Sequence, residues 1–193
     1  MTAFADKFFR DLRSALDGIA CSGKDGGQLP VGTGIEQCHA MMLGCAAKGG
    51  TIYMAGNGGS ASIASHITVD LWKNGGVRAQ AFNDSSLLTC LGNDLGYEQV
   101  FAAPIEKFAD KGDVVVLISS SGQSPNMLAA AGAALKRGCR LITLTGFKPG
   151  NPLRSMGEIN FHVPSGEYGF VETAHAAICH AFVDGIILEK NKR

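Results

Sequence analysis

The chain has 193 residues, 46% of them hydrophobic, and its 17 Lys and Arg balance 17 Asp and Glu. Such a composition excludes a disordered chain, and the lack of net charge, with no basic run beyond the terminal KNKR, argues against a nucleic-acid partner. No apolar run reaches the ~18 residues of a membrane span, so no membrane partner is expected.

Residues 3–19 carry Phe4, Phe8, Leu12, Leu16 and Ile19 at steps of three and four, which predicts an amphipathic helix. Charges lie among its apolar positions, so it lacks a signal-peptide core. The Gly-rich CSGKDGGQLPVGTG reads as a linker. A second helix is predicted from Ile35 to Ala47, stopped by KGG. From there the pattern alternates. TIYMA predicts a strand, then a Gly turn, then a helix to about Lys73. AQAF is the next strand, followed by NDSSLLTCL, a capped short helix, and two helical pieces over 97–109. DVVVLISS reads as a buried strand and SPNMLAAAGAALKRG as a helix with its Gly stop. RLITLTG and INFHV complete the strands, and a long helix covers about Val171 to Lys190.

Short, continuously apolar strands alternating with helices indicate a parallel sheet covered on both faces. The expected fold is α/β: a three-layer α/β/α sandwich with a five-stranded parallel sheet and extra N-terminal helices. One domain spans 1–193, with 1–33 its N-terminal helix and linker. Six Cys, at 21, 38, 45, 90, 139 and 179, form no C-x-x-C, and several sit in apolar runs. That is the usage of reduced thiols in a cytoplasmic protein.

A strand, a Gly/Ser turn and a helix recur at MAGNGGSAS and LISSSGQSP. In an open α/β sheet, ligands bind beyond the carboxyl ends of the strands, where both turns fall. A helix N-terminus offers free N–H groups and partial positive charge, so it suits a phosphate. SSSGQS adds the hydroxyls of Ser119, Ser120, Ser121 and Ser124. Neither turn is a G-K-[ST] or G-x-G-x-x-G loop, which favours a small phosphorylated molecule over a nucleotide. Ordinary turn and cap residues are the alternative for either turn alone.

His66 and Asp70 are four apart, about 40° around a helix, and Glu172 and His180 are eight apart, about 80° around. Each pair can face one target. His175 points roughly 140° from His180 and reads as a packing or capping residue. A carboxylate and an imidazole beside a phosphate cradle suit proton transfer next to a carbonyl. Two His and two carboxylates also suit a divalent ion such as zinc. The competing reading is a solvated His–Asp helix pair and a core His.

GNGGSASIASH, GNDLGYEQVF, GDVVVLISSSGQSPN, RLITLTG and the terminal helix with E-x7-H closely resemble the sugar isomerase (SIS) domain proteins, and among them the phosphoheptose isomerases. The resemblance runs from about Ile35 to Ile187. It implies a homotetramer with sites between subunits and an aldose–ketose exchange through an enediol, from sedoheptulose 7-phosphate to D-glycero-D-manno-heptose 7-phosphate. It implies that Asn57, Gly58, Gly59, Ser60, Asn93, Asp94 and Glu172 bind the sugar. Ser119, Ser120, Ser121 and Ser124 match its phosphate loop. His66, Asp70, Glu172 and His180 match the zinc ligands, with Asp70 and His180 also catalytic. The chain departs from the family in carrying Asp70 for its usual Glu and Glu172 for its usual Gln. The family's basic residues after the first catalytic helix have only Lys73 and Arg78 nearby. An isomerase of another sugar phosphate and a non-catalytic SIS-domain regulator are the competing functions.

Overall fold

A computed structural model describes residues 2–191. Met1 and the last two residues of the KNKR run lie outside the described residues. At the centre lie the five expected parallel strands: β3 (Ile52–Gly56), β4 (Ala79–Ala81), β5 (Val114–Ser119), β6 (Arg140–Thr145) and β7 (Ile159–His162). β3, β5 and β7 are buried along their whole length, because helices cover both faces. Their spatial order is β4-β3-β5-β6-β7. The chain leaves β3 toward β4 at one edge, then returns to β5 on the other side of β3. The order therefore reverses between β3 and β5, and the loops after these two strands part to leave a crevice.

One face is packed by α2 (Val31–Ala47), α3 (Gly59–Lys73) and α7 (Tyr168–Asn191), around Ile52, Met54, Ile67, Val116, Ile142, Phe161 and Phe182. The other is packed by α4 (Ser85–Asp94), α5 (Ala102–Phe108) and α6 (Pro125–Arg137), around Tyr53, Phe82, Phe101, Val115, Leu117, Met127 and Leu141. Local signals set the helix ends as expected. Asp84 accepts hydrogen bonds from the N–H groups of Ser86 and Leu87 at the start of α4. Gly138 ends α6 at φ 75°. α1 (Thr2–Asp17) forms as predicted but stays largely exposed; it docks through Ala15 and through Phe8, whose ring stands 5.0 Å from that of Phe170.

Two expectations need correction. The Gly-rich segment is not a linker. It folds into β1 (Ala20–Gly23) and β2 (Gln28–Leu29), an antiparallel hairpin whose β1 pairs antiparallel with β7. The sheet thus has seven strands. β1 covers the β7 edge, which would otherwise offer unpaired backbone groups, and α2 starts at Val31, directly after Pro30. The second correction concerns α7. By length and composition it is apolar enough to cross a membrane, with mean hydropathy 1.3 over an 18-residue window. It buries Val171, Ala174, Ile178, Phe182, Val183 and Ile186, the stripe of a core helix.

All six Cys are free thiols, and five are buried. Burial pushes Cys21 and Cys139 up to about 11, which suits packing more than reactivity.

Candidate active site

The crevice between β3 and β5 gathers both Gly/Ser turns. On the β3 side, Gly58 takes φ 55°, a left-handed conformation that glycine adopts without strain, and α3 begins at Gly59 without a side-chain cap. On the β5 side, Ser119 Oγ accepts from Gly122 N at 3.1 Å, and Ser121 Oγ accepts from Gln123 N at 3.3 Å. These bonds shape the loop. Ser124 is the N-cap of α6, with Pro125 at the first helical position, yet its hydroxyl makes no cap hydrogen bond. Ser120 Oγ is buried and has no partner. A buried polar atom without a partner costs stability, so this hydroxyl and that of Ser124 stand ready for a ligand.

A cavity of about 100 Å³ results, lined by Asn57, Ser60, Ser119, Ser120, Ser121, Ser124, Tyr168 and Glu172. It is well below the ~300–1,000 Å³ of pockets for whole drug-sized molecules, and suits one anionic head group whose remainder extends outward. A larger cavity of about 430 Å³, between the β1–β2 hairpin and residues 149–155, contains none of the predicted site residues.

On one flank, α3 and α7 bring His66, Asp70 and His180 together. His66 Nε2 lies 3.3 Å and His180 Nδ1 4.0 Å from Asp70 Oδ2. The imidazole centroids are 5.6 Å apart. Asn74 Nδ2 donates to Asp70 Oδ1 at 3.0 Å and so turns Oδ2 toward the histidines. The side chains of His66 and His180 are 64% and 47% exposed, and that of Asp70 is 19% exposed, so the cluster opens outward. Two imidazole nitrogens and a carboxylate oxygen, all within 4.8 Å of one another, form a group that could hold a metal ion.

Glu172 stands outside that group of three. Its carboxylate lies against Gly59, at the start of α3, and lines the serine cavity. Asn93 and Asp94 occupy the exposed end of α4. There Asn93 Nδ2 donates to Asp94 Oδ1 at 2.8 Å, and neither residue lines the cavity. Arg78 is engaged elsewhere: Nη1 donates to Gly49 O at 2.9 Å, below the amino end of β3. Lys73 is exposed in the last turn of α3. His175 is a packing residue as expected, buried with Nε2 3.0 Å from Thr145 O. Burial lowers its pKa to about 4.

Residues 32–146 match the SIS domain family. The phosphoheptose isomerase of Syntrophotalea carbinolica is 33% identical over 195 residues, covering 98% of this chain and 94% of that protein. The chain belongs to the phosphoheptose isomerase family of SIS-domain proteins. The structure of phosphoheptose isomerase from Neisseria gonorrhoeae superposes with a TM-score of 0.84 at 30% identity, covering 96% of this chain and 98% of that one. The Francisella tularensis phosphoheptose isomerase gives the same TM-score at 28% identity, covering 98% of both chains.

Three residues of this SIS-domain site escaped the sequence reading. Tyr97 and Asn126 both hydrogen-bond to Asn57, and Tyr168 lines the serine cavity. Asn126 and Tyr97 lie within the quoted SGQSPN and GNDLGYEQVF stretches, but nothing in their spacing says that they meet. Tyr168 is the first residue of α7, ahead of the Val171 start that the sequence suggests, and no periodicity singles it out.

Proposed function

We infer that this chain is a phosphosugar ketose–aldose isomerase that converts sedoheptulose 7-phosphate to D-glycero-D-manno-heptose 7-phosphate. Kinship to phosphoheptose isomerases over almost the whole chain carries the reading. A hydroxyl-rich anion cavity beside a His–Asp–His cluster supports it.

In this reading the phosphate enters the serine cavity, where the hydroxyls of Ser120, Ser121 and Ser124 and the N–H groups at the start of α6 receive it. Asn57, Gly58, Gly59, Ser60, Asn93 and Asp94 bind the sugar, with Glu172 at its edge. Asp70 takes a proton from C1 of the ketose, giving the enediol, and the proton is returned at C2. His180 moves the hydroxyl proton between O1 and O2. Both lie on one flank, so the base can reach C1 and C2 while the acid reaches their oxygens. His66, Asp70 and His180 would hold a zinc ion, while Glu172 stays against Gly59, outside the ligand set. A bound zinc would polarise the substrate carbonyl.

The protein acts as a cytoplasmic homotetramer with sites completed between subunits. Supporting this are Phe4, Phe9, Val69 and Trp72, large apolar side chains left exposed on α1 and α3. Light scattering that returned a fully active monomer would reject it. The deciding test of function is a coupled assay with sedoheptulose 7-phosphate; no turnover with any divalent ion supplied would overturn the isomerase reading.

A further inference from the structure

Asn57 projects from the end of β3 into the crevice, and two residues of other elements hold its carboxamide. Its Oδ1 accepts from Asn126 Nδ2 at 2.9 Å and from the Tyr97 hydroxyl at 3.2 Å. Its Nδ2 donates to Asn126 Oδ1 at 3.0 Å. A carboxamide oxygen offers two lone pairs and its nitrogen two hydrogens. Both acceptor positions of Asn57 are therefore taken, and one N–H remains.

We propose that Asn126 and Tyr97 are positioning residues that hold the Asn57 amide in place at the crevice, with its remaining N–H free to donate to a substrate oxygen. Asn126 is 2% exposed in the first turn of α6, two residues after Ser124, so its amide is held by the helix that presents the serine loop. The reciprocal pair bridges the loop after β3 and the start of α6 across the point where strand order reverses. Turning the Asn57 amide over alone would set oxygen against oxygen and N–H against N–H, leaving buried Asn126 unsatisfied. Tyr97, on the short 3-10 turn Tyr97–Gln99, approaches from the exposed side. Along an enediol path negative charge gathers on the carbonyl oxygen. A fixed donor there stabilises the transition state, whereas a carbonyl oxygen in its place would oppose it.

The proposal rests on the isomerase reading, and a double-mutant cycle separates the two. Asn126→Ala is expected to lower kcat/KM for sedoheptulose 7-phosphate by about 10- to 100-fold and to have no further effect in an Asn57→Ala background. Tyr97→Phe is expected to cost about 3- to 10-fold, again only when Asn57 is present. Asn126→Asp should be at least as damaging as Asn126→Ala, because it sets a carboxylate against Asn57 Oδ1. Equal losses in both backgrounds would overturn the proposal. If Asn126→Ala does not fold, the cycle of exposed Tyr97 with Asn57 decides alone, by the same criterion. If the wild-type protein turns nothing over, the isomerase reading fails instead. The same cycle, read as the Kd for sedoheptulose 7-phosphate by calorimetry, then still tests the coupling.

Discussion

The carboxylate of Glu172 occupies the space above Gly59: a Cβ built on Gly59 would stand 2.4 Å from Glu172 Oε2. A negative group at the start of α3 is favoured by the helix dipole, and only a residue without a side chain lets it approach. The same carboxylate lines the serine cavity, where it opposes an incoming phosphate. Glu172→Gln should therefore lower KM for the phosphosugar by roughly 5-fold, equivalent to about 1 kcal/mol of relieved repulsion. It should leave bound metal, measured by elemental analysis, unchanged, because the three clustered ligands exclude Glu172. A large drop in metal content would instead make Glu172 a fourth ligand.

The serine loop makes a second, independent prediction. Ser124 forms no cap bond, and Ser121 accepts a single bond at 3.3 Å, so neither hydroxyl holds the fold strongly. Replacing both with Ala should raise KM by about 100-fold or more, since each hydrogen bond to a charged group is worth about 1.5–3 kcal/mol. The melting temperature should move little. An unchanged KM would remove the phosphate from this cavity.

Asp70 is the test of the chemistry. Asp70→Asn preserves size and can still face Asn74, but it removes the base. The expected loss in kcat is about 10²- to 10⁴-fold, with unfolding in urea unaltered. Asp70→Glu restores the reach usual in the family, and activity should hold or rise. Wild-type turnover in Asp70→Asn would refute the acid–base assignment and favour a regulatory role.

Two histidines away from the cluster predict how stability responds to pH. Burial lowers His162 to about 4, with Arg154 adding to the effect, and burial lowers His175 to about 4. In the unfolded chain both titrate near ~6.5. Between these values the unfolded state binds protons that the native state refuses. Stability conferred by these two groups is therefore complete above about 6.5 and falls as pH drops toward 4. Urea midpoints should decline over that window, with a slope approaching two protons from these two residues. His162→Asn should remove about half of it; a slope unaltered by that substitution would contradict the assignment.

Local chemistry made much of this protein legible without coordinates. The apolar runs of β3, β5, β6 and β7 and the caps at Asp84 and Gly138 follow from interactions within a few residues, and so does the His66–Asp70 pairing along one helix. The two Gly/Ser turns could be read as anion-binding because strand, turn and helix are contiguous. Three matters depended on packing between distant segments. The CSGKDGGQL stretch looked like a linker because its strands are short and polar; they are strands only because β7 presents an open edge. Glu172 and His180 share a helix, yet α3 and α7 cross so that one meets the start of α3 and the other Asp70, a difference that helical periodicity does not encode. The triangle of Asn57, Tyr97 and Asn126 joins three elements scattered along the chain, and it exists because strand order reverses between β3 and β5. Contacts set by nearest neighbours leave a pattern in the sequence; contacts made by bringing strand ends together do not.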